Sequence, residues 1–186
     1  MRCKLSLPET GIDEAVHLLD ASHERFCACL DTLGRLTLWV SEHGADAAAR
    51  KAATAVLRHF RGEAMRHYRD EEAHVFPRLL ARANETERAS VAQLIDVLIA
   101  DHGRLRAAWD GMADRLEAIA AGHAVSLAGA DVRDFTLKLC GHIECEQTRL
   151  LPQMQRLLDS TDHREIGCSL RARVVLEALE GARAEA

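Results

Sequence analysis

The 186-residue sequence contains only three prolines, and aromatic residues make up 4% of it. So few helix breakers and so few strand-favouring side chains exclude a sheet protein. With Ala, Leu, Arg and Glu abundant, they predict an all-α chain. Also missing is any block of Lys and Arg. The formal net charge is −5, which excludes nucleic acid as a main partner, because phosphate binding draws on clustered cations. No apolar run approaches the roughly 18–20 residues that span a bilayer, so no membrane partner is expected. The N-terminus, with Arg2, Lys4 and Pro8, lacks the roughly 7–15-residue apolar stretch of a secretory signal, and the expected compartment is the cytoplasm. Six cysteines (Cys3, Cys27, Cys29, Cys140, Cys145, Cys168) show no Cys-x2-Cys spacing. In a cytoplasm they are expected to be free thiols.

What the sequence does have is a repeat. His67-Tyr68-Arg69-Asp70-Glu71 followed by Pro77 recurs 75 residues later as His142-Ile143-Glu144-Cys145-Glu146 followed by Pro152. Residues four apart on an α-helix share a face, with Cβ atoms about 5–6 Å apart. Each copy therefore presents an imidazole beside a carboxylate. Two lone histidines, His23 and His102, lie 79 residues apart and complete a duplicated pattern. If four antiparallel helices bring His23, His67, His102 and His142 to one level, the turns must fall midway between them, near about residues 45, 84 and 122. There the sequence reads Gly44-Ala45-Asp46, Asn84-Glu85-Thr86 and Gly122, residues that end helices and cap new ones.

The apolar spacing agrees. Ile12, Val16, Leu19, His23, Phe26, Leu30, Leu33, Thr37 and Val40 form one seam; Val91, Ile95, Leu98, His102, Leu105, Trp109, Met112, Leu116 and Ile119 form another. Helix 2 is predicted over about Asp46–Ala83, with Val56, Phe60, Ala64, His67, Glu71 and His74 on one side. Helix 4 is predicted over about Gly129–Leu158, with Phe135, Leu139, His142, Glu146, Leu150 and Met154 facing in. The internal prolines predict a bend past each His–Glu pair. The predicted architecture is an up-down-up-down antiparallel four-helix bundle over 12–158. A lead-in covers 1–11, and a C-terminal extension over 159–186 carries a short fifth helix through Ile166, Leu170, Val174, Leu176 and Leu179.

Six polar groups at one level of an apolar core need a common explanation, since burying them unsatisfied is costly. Four imidazoles and two carboxylates can hold two cations, each Glu bridging both, and the cations cancel the buried charge. The nitrogen and oxygen set suits iron best, with manganese or zinc possible. A ferritin-type site would show Glu-x2-His pairs instead.

The segments His67-x3-Glu71-Glu72-x3-Phe76-Pro77 and His142-x3-Glu146-x4-Leu151-Pro152, set between His23 and His102, resemble the hemerythrin-like (His-His-Glu cation-binding) family over about residues 12–158. The resemblance implies a non-haem di-iron centre, bridged by carboxylates and an oxo group, that binds or senses dioxygen, nitric oxide or iron. Oxygen carriers of the family have a further histidine one turn after the one on helix 3; here that position is Arg106. The chain thus resembles the four-histidine, two-glutamate subgroup, which includes proteins linked to iron–sulfur repair. The extra N-terminal domain with paired cysteines that many of those carry has no counterpart in this sequence, which makes repair the less expected role. On twelve positions of two six-coordinate irons, four His and two bridging Glu fill eight, leaving a more open site than a carrier has.

The leading expectation is therefore a protein that binds or senses a diatomic gas through His23, His67, Glu71, His102, His142 and Glu146. A di-iron oxidase, nitric-oxide-reactive or repair-type protein using the same six residues is the competing one, and a structural zinc interaction module the third. Oligomeric state is not readable. Of the other histidines, His43 lies 20 residues beyond His23, about 30 Å along a helix, and is read as a helix C-terminal residue. His74 shares a face with His67 but matches Arg149 in the other half; His17, His59, His123 and His163 read as surface or packing residues. Cys27 either lines the cavity one turn from His23 or is a small buried hydrophobe. Asp70, Glu72 and Glu144 point off the ligand face, either into solvent or behind the metal ligands, and Tyr68 also points off it. Arg106 either donates to a carboxylate or anion at the site or reaches solvent along the bundle edge.

Overall fold

The computed structural model describes residues 14–171, and every element among them is helical. Helix α1 is Glu14–His43. Helix α2 runs over 47–82 in three α segments, Ala47–His59, Met65–Asp70 and Phe76–Arg82, joined by π turns at Phe60–Ala64 and Glu71–Val75. Helix α3 is Glu85–Ala120. Helix α4 runs over 129–157 as Gly129–Cys145 and Leu151–Leu157 around a π turn at Glu146–Leu150. A further helix, α5, occupies 160–171. The lead-in over 1–11, Ile12, and Val174, Leu176 and Leu179 of the expected fifth helix lie outside the described residues. Among the described residues no helix is long and apolar enough to cross a membrane.

The turns fall where the histidine spacing puts them. Gly44, at φ +66°, ends α1 with its N–H on Val40 O at 3.0 Å, a left-handed conformation that glycine adopts freely. Asp46 then caps α2 by accepting from Ala49 N at 2.8 Å, and Asn84 caps α3 by accepting from Thr86 N and Glu87 N, each at 3.0 Å. Gly122, at φ +89°, closes α3. These short connections fold the chain up and down, so that α1 packs on α2 and α4, and α3 on the same two.

All nine expected seam residues of α3 are buried, as are the six of α4; on α1 only Thr37 among the described members is half-buried, its hydroxyl donating to Leu33 O at 2.9 Å. The apolar core is divided. One cluster, built on Phe26, Leu33, Phe60, Trp109, Leu116 and Phe135, fills the end with the 44–46 and 121–128 loops. A second, built on Leu19, Val75, Leu79, Leu98, Leu150 and Met154, fills the other and takes in Ile166 and Leu170 of α5. Helix α5 and the residue before it are also tied down by ion pairs: Arg82 donates to Asp162 at 2.8 Å and to Asp159 at 2.6 Å, and Arg78 to Glu165 at 3.0 Å.

Where the prolines predict a bend, the structure has a π turn directly ahead of each. Phe76 N–H bonds Glu71 O and Leu151 N–H bonds Glu146 O, five residues back. A proline has no N–H and its ring crowds the carbonyl four residues earlier, and the wider turn relieves both problems. It also takes one extra residue. The inward slot after each motif histidine is therefore the eighth residue, not the seventh: Val75 and Leu150 are fully buried, while Arg149 is exposed and His74 only half-buried. This overturns the expectation that His74 shares the inner face with His67.

Candidate metal centre

Between the two apolar clusters lies a polar layer. Helix α1 contributes His23, α2 contributes His67 and Glu71, α3 contributes His102, and α4 contributes His142 and Glu146, all six at most 5% exposed. Both glutamates stand at the first residue of a π turn. His23 Nε2 is 2.6 Å from Glu146 Oε2 and His142 Nε2 is 2.7 Å from Glu146 Oε1. His67 Nε2 is 3.4 Å from Glu71 Oε1 and 3.6 Å from Glu146 Oε2; His102 Nε2 is 3.3 Å from Glu71 Oε2.

These are close approaches without hydrogen-bond direction. Every Nε2 of the four histidines and every carboxylate oxygen of the two glutamates is buried without a hydrogen-bond partner, each costing about 1–3 kcal/mol if left so. They fall into two overlapping groups, His23, His67, Glu71 and Glu146, and Glu71, His102, His142 and Glu146, whose ligand atoms lie within 4.8 Å of one another. The two glutamates belong to both. Burial, and then the facing Glu146, push the Glu71 carboxyl well above the usual carboxylate range. Burial would raise Glu146 too, but the four imidazoles around it prevail and hold it well below that range. Burial lowers His67, keeping its imidazole neutral.

Aromatic rings close the layer. The Phe26 ring meets His67 edge-on at 5.0 Å. Tyr68 stacks on His102 at 4.3 Å and 20°, with Phe76 parallel to His102 at 6.1 Å. Burial pushes the Tyr68 phenol up. Off the ligand face as expected, Tyr68 still forms a wall of the site.

At other positions the structure corrects the expectation or chooses between its alternatives. Cys27 is exposed, so it is neither in the cavity nor a buried hydrophobe, and Cys29 is the buried cysteine of that turn. Asp70 is buried rather than solvated, and His163 is buried with neither ring nitrogen hydrogen-bonded. His43 is exposed at the end of α1, stacked on Trp39 at 4.0 Å. Glu72, expected either in solvent or behind the ligands, takes the second place: it accepts from His102 Nδ1 at 2.8 Å and from Arg106 Nη2 at 3.1 Å. Of the two readings of Arg106, the structure selects the contact with a carboxylate behind the site. The doubled Glu71-Glu72 carries this contact: the two are about 100° apart on a helix, so that one can face the site and the next the back of a neighbouring histidine.

Residues 14–154, about three quarters of the chain, match the hemerythrin HHE cation-binding domain. The chain belongs to that family. No curated protein matches it. The hemerythrin family implies cation binding, and the donor set fits: buried nitrogen and oxygen atoms without partners, in two groups that share both carboxylates.

Proposed function

We propose that this hemerythrin-domain protein holds two iron ions, one in each group of ligand atoms, and uses them in the cytoplasm to bind or sense dioxygen or nitric oxide. The observation that carries the reading is the sharing of Glu71 and Glu146 between two groups of buried, unpartnered atoms. A single structural zinc would need four ligands and would leave the two histidines of the other group unsatisfied. Iron supplies the binding of diatomic gases and one-electron exchange. The chain's own residues do the rest. Four imidazoles donate without adding charge; two carboxylates neutralise part of the charge of both ions; Phe26, Tyr68 and Phe76 keep water from the histidine rings. Four histidines and two glutamates would fill only part of the coordination of two irons, and the remaining positions would be available to a small ligand.

Metal analysis of protein purified without added metal, read beside its optical spectrum, tests this. The expected result is near two irons per chain with near-ultraviolet charge-transfer absorption. One zinc in a colourless protein would sink it. Glu146→Ala or Glu71→Ala should remove most of the metal, because each takes a donor from both ions, and His43→Ala should leave the content unchanged. Sustained turnover of the gas with an electron donor, in place of saturation, would move the assignment from binder to enzyme.

A further inference from the structure

The two halves of the repeat each present two histidines and a glutamate to the layer but differ behind the lone histidines. Glu71 is followed by Glu72, and Glu146 by Gln147; four residues after His102 stands Arg106, and four after His23 stands Cys27. The structure gives these differences consequences. Glu72 Oε1 receives both His102 Nδ1, at 2.8 Å, and Arg106 Nη2, at 3.1 Å. Arg106 also lies over the ring of Tyr68, 5.7 Å from its centroid, and that ring stacks on His102. In the other half Gln147 donates to Asp20 at 2.8 Å. Asp20 is then 3.8 Å from His23 Nδ1, and that nitrogen has no hydrogen-bond partner. His102 is held at its edge and its face; no carboxylate accepts from Nδ1 of His23, and Nδ1 of His142 is likewise without a partner, so His102 is the braced member of its pair.

We infer that Glu72, itself held by Arg106, is a positioning residue that fixes His102 with its proton on Nδ1 and its Nε2 lone pair turned into the site, so that the metal position of His102 and His142 is formed before metal arrives and fills first. A carboxylate only accepts, so the facing nitrogen must be the donor, and a neutral imidazole then has its free pair on the other nitrogen. A hydrogen-bonded carboxylate also makes the ring a better metal donor, and loss of such a partner weakens metal binding about 10–100-fold. The position of His23 and His67 has no such partner on His23 and fills second. The filling order rests on the di-iron reading above; the tautomer does not.

Two measurements test this. Imidazole nitrogen-15 resonances of the metal-free wild type should show His102 as the single Nδ1–H tautomer, and Glu72→Gln, whose amide can either donate or accept, should give a mixture. Ferrous ion added stepwise without oxygen should bind the wild type in a tight and a weaker step. Glu72→Gln should weaken the tight step about 10–100-fold and spare the other; Arg106→Lys should keep both steps, and Gln147→Glu should leave the tight step alone. A metal-free His102 with its proton on Nε2, or equal loss of both steps in Glu72→Gln, overturns the inference. A protein that takes up no iron yet shows the single tautomer would sink the di-iron reading and keep the positioning role.

Discussion

Glu71 and Glu146 are the same side chain, equally buried, with opposite proton affinities, and the difference lies in what faces them. Glu146 is approached at 2.6 and 2.7 Å by imidazoles from α1 and from its own helix. No imidazole comes nearer than 3.3 Å among the contacts of Glu71, which also faces Glu146. In the metal-free fold the raised carboxyl of Glu71 stays protonated above the ordinary glutamate value of 4.5, where the unfolded chain would ionise. Folding stability therefore falls as pH rises from that value through the folded pKa. The lowered carboxyl of Glu146 acts the other way, adding stability above 4.5 that is lost as pH falls through its folded pKa. A cation must displace the proton of Glu71. Loading should thus release protons, and apparent metal affinity should fall as the solution is acidified from neutral pH. Calorimetry in buffers of different ionisation enthalpy measures this; loading with no proton exchange would show that Glu71 is already ionised.

At the scale of the helices, most of the fold was legible, because lengths and turns are set by periodic apolar residues and by caps that act locally. The nine seam residues of α3, and the caps Asp46 and Asn84, are read from the sequence because each acts within a few residues of itself. Asn84→Ala should accordingly cost about 1 kcal/mol in chemical denaturation while leaving metal content unchanged; loss of metal would mean that this end of α3 sets the level of His102. The four histidines and two glutamates were also legible, since their spacing is helical and duplicated. What the sequence hid is non-local or irregular. The contact of Glu72 with His102 spans 30 residues and depends on how α2 and α3 are rotated. The π turns depend on a conflict between proline and helix that can also be resolved by bending, and without them His74 was assigned to the wrong face.

For the whole molecule, the polar layer separates two apolar clusters that have to be joined to make one cooperative unit. Without metal, that joint consists of buried donors and acceptors facing one another unpaired. A ligand that binds only the folded chain stabilises it by mass action, about 2.7 kcal/mol at a hundredfold excess over its dissociation constant. Chelation should lower the melting temperature by many degrees and broaden the transition, as scanning calorimetry would show; an unchanged melt would contradict a central site. The π turns have a further consequence, for insertions and deletions. In α3, which has no such turn, removing Ala100 would rotate everything beyond it by about 100°, and His102 would leave the layer. In α2 the turn at Glu71–Val75 already holds one residue more than a regular helix needs. Removing the exposed Ala73, with Pro77→Ala to permit a regular turn, should yield a folded, fully helical protein with Val75 and Leu79 still inward, where the Ala100 deletion should not fold. Over evolutionary time, the helices bearing the carboxylates can gain or lose a single residue without scrambling the bundle, and the helix bearing His102 cannot.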